Sequence, residues 1–141
     1  MDMIINKITD RLKGLELIEF AILFGSFSES KQTDLSDIDL GLFFSEEIKL
    51  LVLGNIITEL TSITNKKVDV VILNDLNKKD PFFANEIITK GKILFCRNDN
   101  SFIEYRRKVF LEFLDTAYFR EKIKTAFKNR LNENFGKRNY V

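Results

Sequence analysis

Three aspartates stand where apolar strands should run, and they constrain the fold of this chain more than any other feature. Asp37-Ile38-Asp39-Leu40-Gly41-Leu42-Phe43-Phe44 has the two-residue period of a β-strand. That period sends Asp37 and Asp39 to one face and Ile38, Leu40, Leu42 and Phe44 to the other, toward a core. Asp69 interrupts Val68-Val70-Val71-Ile72, a run that otherwise reads as buried, where an unpaired carboxylate is expensive. Two carboxylates about 7 Å apart along one strand also raise each other's pKa unless a cation lies between them. One arrangement accounts for all three residues: the strands are neighbours and the carboxylates converge on a shared cation site. An all-oxygen ligand set favours Mg²⁺ or Mn²⁺ over zinc or copper. Taken singly, Asp37 reads better as a turn cap after Ser36, and Asp39 and Asp69 as edge-strand charges that deter aggregation.

The joint pattern favours a site. Phe20-Ala21-Ile22-Leu23-Phe24 is a short apolar run that reads as a buried strand, and Gly25-Ser26 follows it directly. A turn of small residues there lets backbone N–H groups and a hydroxyl approach phosphate oxygens. The spacing Gly25-Ser26-x10-Asp37-x-Asp39 occurs by chance in about one chain of this size in 500. With Asp69 on a further strand, coincidence is rarer still.

Around these motifs the chain alternates helical and strand patterns, which places it in the α/β or α+β class. A first helix ends near Gly14, and Asp37–Phe44 is the second strand. Ser45 is expected to cap a helix reaching about Ile63, with Glu46 and Glu47 at the positive end of its dipole. Val68–Leu73 is the third strand. Asp80-Pro81 opens a helix that Gly91 closes, Lys92–Cys96 is a fourth strand, and Ser101 to about Phe135 is helical, in two pieces meeting near Arg120-Glu121-Lys122. No repeat, low-complexity tract or linker marks a domain boundary. The division expected is a core over residues 1–97 and a C-terminal helical segment over residues 98–141 that packs on the core and contacts a partner.

The chain has no histidine, so it has neither an imidazole base nor a Ser-His-Asp triad; its chemistry must run on carboxylates, hydroxyls, Lys, Arg or a metal. The lone Cys96 ends the run Ile93-Leu94-Phe95 and reads as a core residue in a reducing compartment. No signal peptide or membrane span is visible, which makes cytoplasmic the expected location. Residues 1–96 hold 11 Lys/Arg against 15 Asp/Glu, a net of −4, and residues 97–141 hold 11 against 6, a net of +5. The basic segment either meets an acidic surface or is a solvated face. Within it Phe119, Ile123, Phe127, Leu131 and Phe135 recur every four residues, flanked by Lys122, Lys124, Lys128 and Arg130. Such a stripe packs on the chain's own core, on a partner, or on a second copy of the chain.

Leu23-Phe24-Gly25-Ser26-Phe27, Leu35-Ser36-Asp37-Ile38-Asp39-Leu40 and Val68-Asp69-Val70-Val71-Ile72-Leu73-Asn74 together resemble the DNA polymerase β-type nucleotidyltransferase superfamily. The likeness is greatest to the minimal nucleotidyltransferases that act as antitoxins beside HEPN ribonuclease toxins. A weaker similarity runs from Asn85-Glu86-Ile87-Ile88 to Gly91-Lys92-Ile93-Leu94-Phe95, and Glu112–Tyr118 is similar to the family's last helix. The resemblance implies a mixed sheet flanked by helices with the site at one edge. It implies two metal ions bridged by Asp37 and Asp39, with Asp69 ligating the ion that activates the attacking hydroxyl. It also implies Gly25 and Ser26 on the triphosphate of ATP, and AMP transfer to a tyrosine of a HEPN-type toxin. Many relatives carry a small-Arg-Gly sequence after Gly-Ser-Phe, where this chain has Ser28-Glu29-Ser30-Lys31; Lys31 replaces that arginine only as a point charge.

Two other functions compete. One is transfer to a small hydroxyl compound such as an aminoglycoside, which needs a substrate domain that the residues beyond Cys96 are too few to build. The other is a docking antitoxin with a vestigial site, against which the three aspartates and the Gly-Ser turn argue. A template-directed polymerase is disfavoured because the near-neutral core offers no basic channel for nucleic acid.

Overall fold

The computed structural model describes residues 2–25 and 37–139. The elements follow one another as α1 (Asp2–Lys13), β1 (Ile18–Phe24), β2 (Ile38–Phe44), α2 (Leu50–Thr64), β3 (Val68–Ile72), α3 (Leu76–Lys79), α4 (Pro81–Lys90), β4 (Lys92–Cys96) and α5 (Asp99–Asn139). The strands form one sheet in the order β3-β2-β1-β4. β1 is antiparallel to both β2 and β4, whereas β2 and β3 are parallel and joined through α2, so the sheet is mixed. This is the expected mixed sheet flanked by helices.

The period of two explains how both faces are covered. Ile38, Leu40, Leu42 and Phe44 of β2 join Ala21 and Leu23 of β1 on one face, packed against Ile8 and Leu12 of α1 and Ile56 and Leu60 of α2. Arg11 and Glu59 tie those two helices together at the surface. On the other face Phe20 and Ile22 meet Ala84 and Ile87 of α4 and Tyr105 and Val109 of α5. Phe20 is the centre of that second layer: it stacks on Phe43 at 4.8 Å and receives the edge of Phe102 at 5.2 Å. β1 is therefore apolar on both sides, as its unbroken run implies.

Capping chemistry sets the start of α4. The Asp80 carboxylate accepts the Phe83 N–H at 3.1 Å, and Pro81 follows at the first turn, as expected. Gly91 ends α4, as expected, but not as a left-handed cap. Its φ is −74°, and a Cβ there would lie 2.4 Å from both the Ile22 side chain and the Ile87 carbonyl oxygen. Glycine is required by space, because α4 meets the sheet there.

Three expectations need correction. Ser45 does not cap α2: its N–H donates to the Leu17 carbonyl at 2.8 Å, which extends the pairing of the strand ends. The helix begins only at Leu50, with Lys49 in the cap position and no acid in its first turn, so Glu46 and Glu47 belong to the connection. The four-residue α3 was not anticipated, being too short to show a helical period. Finally, α5 is one helix of 41 residues rather than two. No proline interrupts it, and Arg120-Glu121-Lys122 marks the point where the helix leaves the domain, not a break in its backbone. Among the described residues no helix is long and apolar enough to cross a membrane.

Candidate functional site

The end of β1 and the starts of β2 and β3 lie side by side at one end of the sheet, and this brings the singled-out residues together. Asp39 is the register partner of Phe24 on β1 and of Asp69 on β3. In a parallel pair, register partners project to the same face, so the two carboxylates are direct neighbours. Asp37 precedes β2 by one residue and shares the face of Asp39.

Asp39 is half-buried, while Asp37 and Asp69 are exposed. The exposure of Asp69 corrects the reading of β3 as a buried strand. β3 is the sheet's edge, and Ile72 at its far end is 39% exposed. The anomaly at Asp69 is therefore one of like charges rather than of burial.

Asp39 carries the electrostatic record of that crowding. Its carboxyl is held above the usual carboxylate range, first by desolvation and then by the charges of Asp69 and Asp37, with Lys67 pulling the other way. Among the described residues no group of three or more Asp, Glu or Cys side chains is gathered closely enough to enclose an ion. The three are neighbours along strands, not a closed cage.

Gly25 completes the corner. It has φ +75°, a conformation that side chains with a Cβ rarely adopt. A Cβ built there would stand 2.5 Å from the Asp39 Oδ2 atom. Two independent demands, left-handed backbone and space for the Asp39 carboxylate, thus select glycine at the turn after β1. The missing Cβ leaves that carboxylate its room, and the donor set is all oxygen and anionic, so these residues fit a hard divalent cation. Ser26 and Lys31, expected to help bind phosphate, lie outside the described residues.

Lys67 was missed from the sequence. It precedes β3, its carbonyl accepts the Ile38 N–H at 2.9 Å, and its ammonium is the cation that partly offsets the acids around Asp39. The signal was the basic pair Lys66-Lys67 directly before Val68-Asp69. Both lysines, with Thr61, Asn65 and Asp69, line an open groove of about 660 Å³ between α2 and the edge of β3. Asn65, at φ 53°, supplies the left-handed residue that ends α2 and turns the chain into β3. Cys96 takes no part in the site. It sits at the opposite end of β4, half-buried, and burial followed by its contact with Asp99 pushes its thiol pKa up, away from nucleophilic character.

Against known proteins, the family model for polymerase beta nucleotidyltransferases matches residues 6–100. The chain is 29% identical over 92 residues to the protein adenylyltransferase MntA of Shewanella oneidensis, a match spanning 65% of this chain and 62% of MntA. It is 31% identical over 84 residues to MJ0126 of Methanocaldococcus jannaschii, covering 60% of this chain and 84% of that protein. Among solved structures, a chain of a toxin–antitoxin crystallised with AMP-PNP superposes with a TM-score of 0.71 at 22% identity, over 88% of this chain and 98% of that one. A chain from the complex of tri-AMPylated Shewanella oneidensis HEPN toxin with MNT antitoxin gives a TM-score of 0.67 at 20% identity, over 90% of this chain and 98% of that one. At these identities the structural matches establish the fold.

Proposed function

The chain belongs to the polymerase beta nucleotidyltransferase family, and from that premise we propose that it is a metal-dependent protein adenylyltransferase. In this reading it transfers AMP from ATP to a tyrosine of a HEPN-type toxin in the cytoplasm and acts as that toxin's antitoxin. The observation that carries the reading is the register pairing of Asp39 with Asp69 beside a Gly25 that cannot carry a side chain. The acceptor class rests on the relatives: MntA is named a protein adenylyltransferase, and the superposed complex holds an AMPylated HEPN toxin.

Asp37 and Asp39 would hold a pair of Mg²⁺ ions between them, and Asp69 would ligate the ion on the acceptor side. When bound, such ions neutralise charge on the entering and leaving oxygens of an in-line displacement. The chain's own part is positioning. Gly25 and Ser26 would present small groups and backbone N–H to the triphosphate, and Lys31 and Lys67 would supply positive charge for it. The tyrosyl oxygen forms a bond to the α-phosphorus as the bond to the oxygen bridging the α- and β-phosphates breaks. Pyrophosphate leaves and the phenolic proton passes to water. With no imidazole in the chain, the carboxylates would serve deprotonation by holding the ions that acidify the phenol, in place of a histidine base.

Incubating the protein with ATP, Mg²⁺ and the protein encoded beside it tests the reading by intact mass. One or more AMP increments on that neighbour are expected, and none with Asp37→Asn. A neighbour that is bound and silenced without modification would replace the enzyme by a docking antitoxin. Modification of an aminoglycoside instead would make it a small-substrate enzyme.

A further inference from the structure

Beyond Arg120, α5 carries an interior face on past the residues it packs against. Up to Arg120 the helix turns Phe102, Tyr105 and Val109 into the second apolar layer, Phe113 against Phe82 at 5.3 Å, and Arg120 over the Phe82 ring at 3.9 Å. Steps of three and four residues carry the same face on to Ile123, Phe127 and Leu131. There these side chains are largely open, 54%, 61% and 38% exposed. Every residue from Arg120 to Asn132 is exposed, over a span of roughly 18 Å at 1.5 Å per residue.

The direction of the helix gives this exposed segment a place. Phe102 lies against Phe20 in the middle of β1, whereas Phe113 and Arg120 lie against Phe82. The next residue, Phe83, packs on Phe24, the register partner of Asp39. The helix thus runs toward the aspartate end of the sheet and leaves the domain there.

Charge decides between occupants. Residues 120–132 carry Arg120, Lys122, Lys124, Lys128 and Arg130 against Glu121 alone. Two copies of this segment laid against each other would set like charges face to face, so a second copy of the chain fits poorly. An amphipathic helix with acidic flanks fits both the apolar stripe and the basic borders.

We infer that residues 120–132 of α5 are a docking arm that grips an acid-flanked amphipathic helix of the acceptor protein and holds that protein at the Asp37–Asp39–Asp69 corner. This rests on the reading of the acceptor as a protein, and the test separates the two. Sedimentation and AMP transfer are measured for the full chain with its genomic neighbour, in wild type, in the double variant Ile123→Glu with Phe127→Glu, and in the charge variant Lys124→Glu with Lys128→Glu. Because the replaced side chains are exposed, the variants should fold as wild type does. The double variant should bind at least about 30-fold more weakly, as expected for two anchors at an interface core. Its transfer should recover at saturating neighbour, a rise in KM rather than a fall in kcat, with Mg-ATP affinity unchanged. The charge variant should lose affinity most at low salt. Equal binding by wild type and both variants would overturn the docking arm while leaving the adenylyltransferase reading intact. Overturning the arm equally would be a wild type that sediments as a dimer which the double variant dissociates, or a double variant that melts far below wild type. A wild type that neither binds nor modifies the neighbour would sink both.

Discussion

The two ends of the sheet use polar side chains in opposite ways. At the end away from the aspartates, polar groups are spent on the chain's own backbone. The Asn74 amide accepts the Phe44 N–H at 3.0 Å and donates to the Phe44 carbonyl at 2.7 Å, closing β2 as an extra strand residue would. The Arg97 guanidinium donates to the carbonyls of Ile18, Lys13 and Leu15 at 3.1, 2.7 and 3.3 Å, fastening α1 and its loop to β1. At the other end three carboxylates are neighbours on one face, and desolvation followed by the charges of Asp69 and Asp37 raises the Asp39 pKa. The contrast teaches that polar groups at one end stabilise the fold, while those at the other oppose it and are suited to a ligand that the fold does not supply.

Substitutions at the two ends should therefore separate activity from stability. The largest effect is expected from Asp37→Asn or Asp39→Asn, either of which should lower nucleotidyl transfer by at least about 1000-fold while the circular dichroism spectrum stays that of wild type. Transfer at the wild-type rate with chelator present would break the contrast. Asp69→Asn should sharpen it, with kcat falling far more than affinity for Mg-ATP in a calorimetric titration. A loss of nucleotide affinity equal to that of Asp37→Asn would remove the separate role given to Asp69. At the sealed end the effect should be smaller and of the other kind. Arg97→Ala should lower unfolding stability by about 2 kcal/mol in urea titration, with transfer per folded molecule unchanged. A specific loss of transfer in that variant would mean the two ends are not independent.

Much of this contrast could be read from the chain before its fold was known, because it is written in short-range patterns. The period of two put Asp37 and Asp39 on one face, and Asp69 in an apolar run marked the neighbouring strand. The rest depended on long-range placement. Whether β3 was central or an edge is a matter of strand order, so the exposure of Asp69 did not follow from its apolar neighbours. Gly91 reads from the sequence as a helix stop, but only the approach of Ile22 shows why no other residue fits. Ser45 had the chemistry of a cap, yet its N–H was claimed by Leu17, a residue 28 positions earlier. The polar stretch near Arg120 marked a real boundary, that of the environment of α5 rather than of its helix.

Thermal unfolding of wild type and Asp39→Asn, with and without magnesium and a non-hydrolysable ATP analogue, tests most directly the claim that the aspartate corner opposes folding until a ligand fills it. A raised carboxyl pKa means that the folded chain holds the Asp39 proton more tightly than the unfolded chain does. Stability is thus lost as pH rises from the ordinary carboxylate range through the raised value, and at neutral pH the full cost is present. In chelator at neutral pH Asp39→Asn should melt above wild type, an advantage that shrinks as the pH is lowered toward 4. With magnesium and the analogue the order should reverse, as binding of the ligand by folded wild type and its loss in the variant would require. A variant that melts below wild type in chelator, or that gains as much from the ligand as wild type does, would contradict the claim.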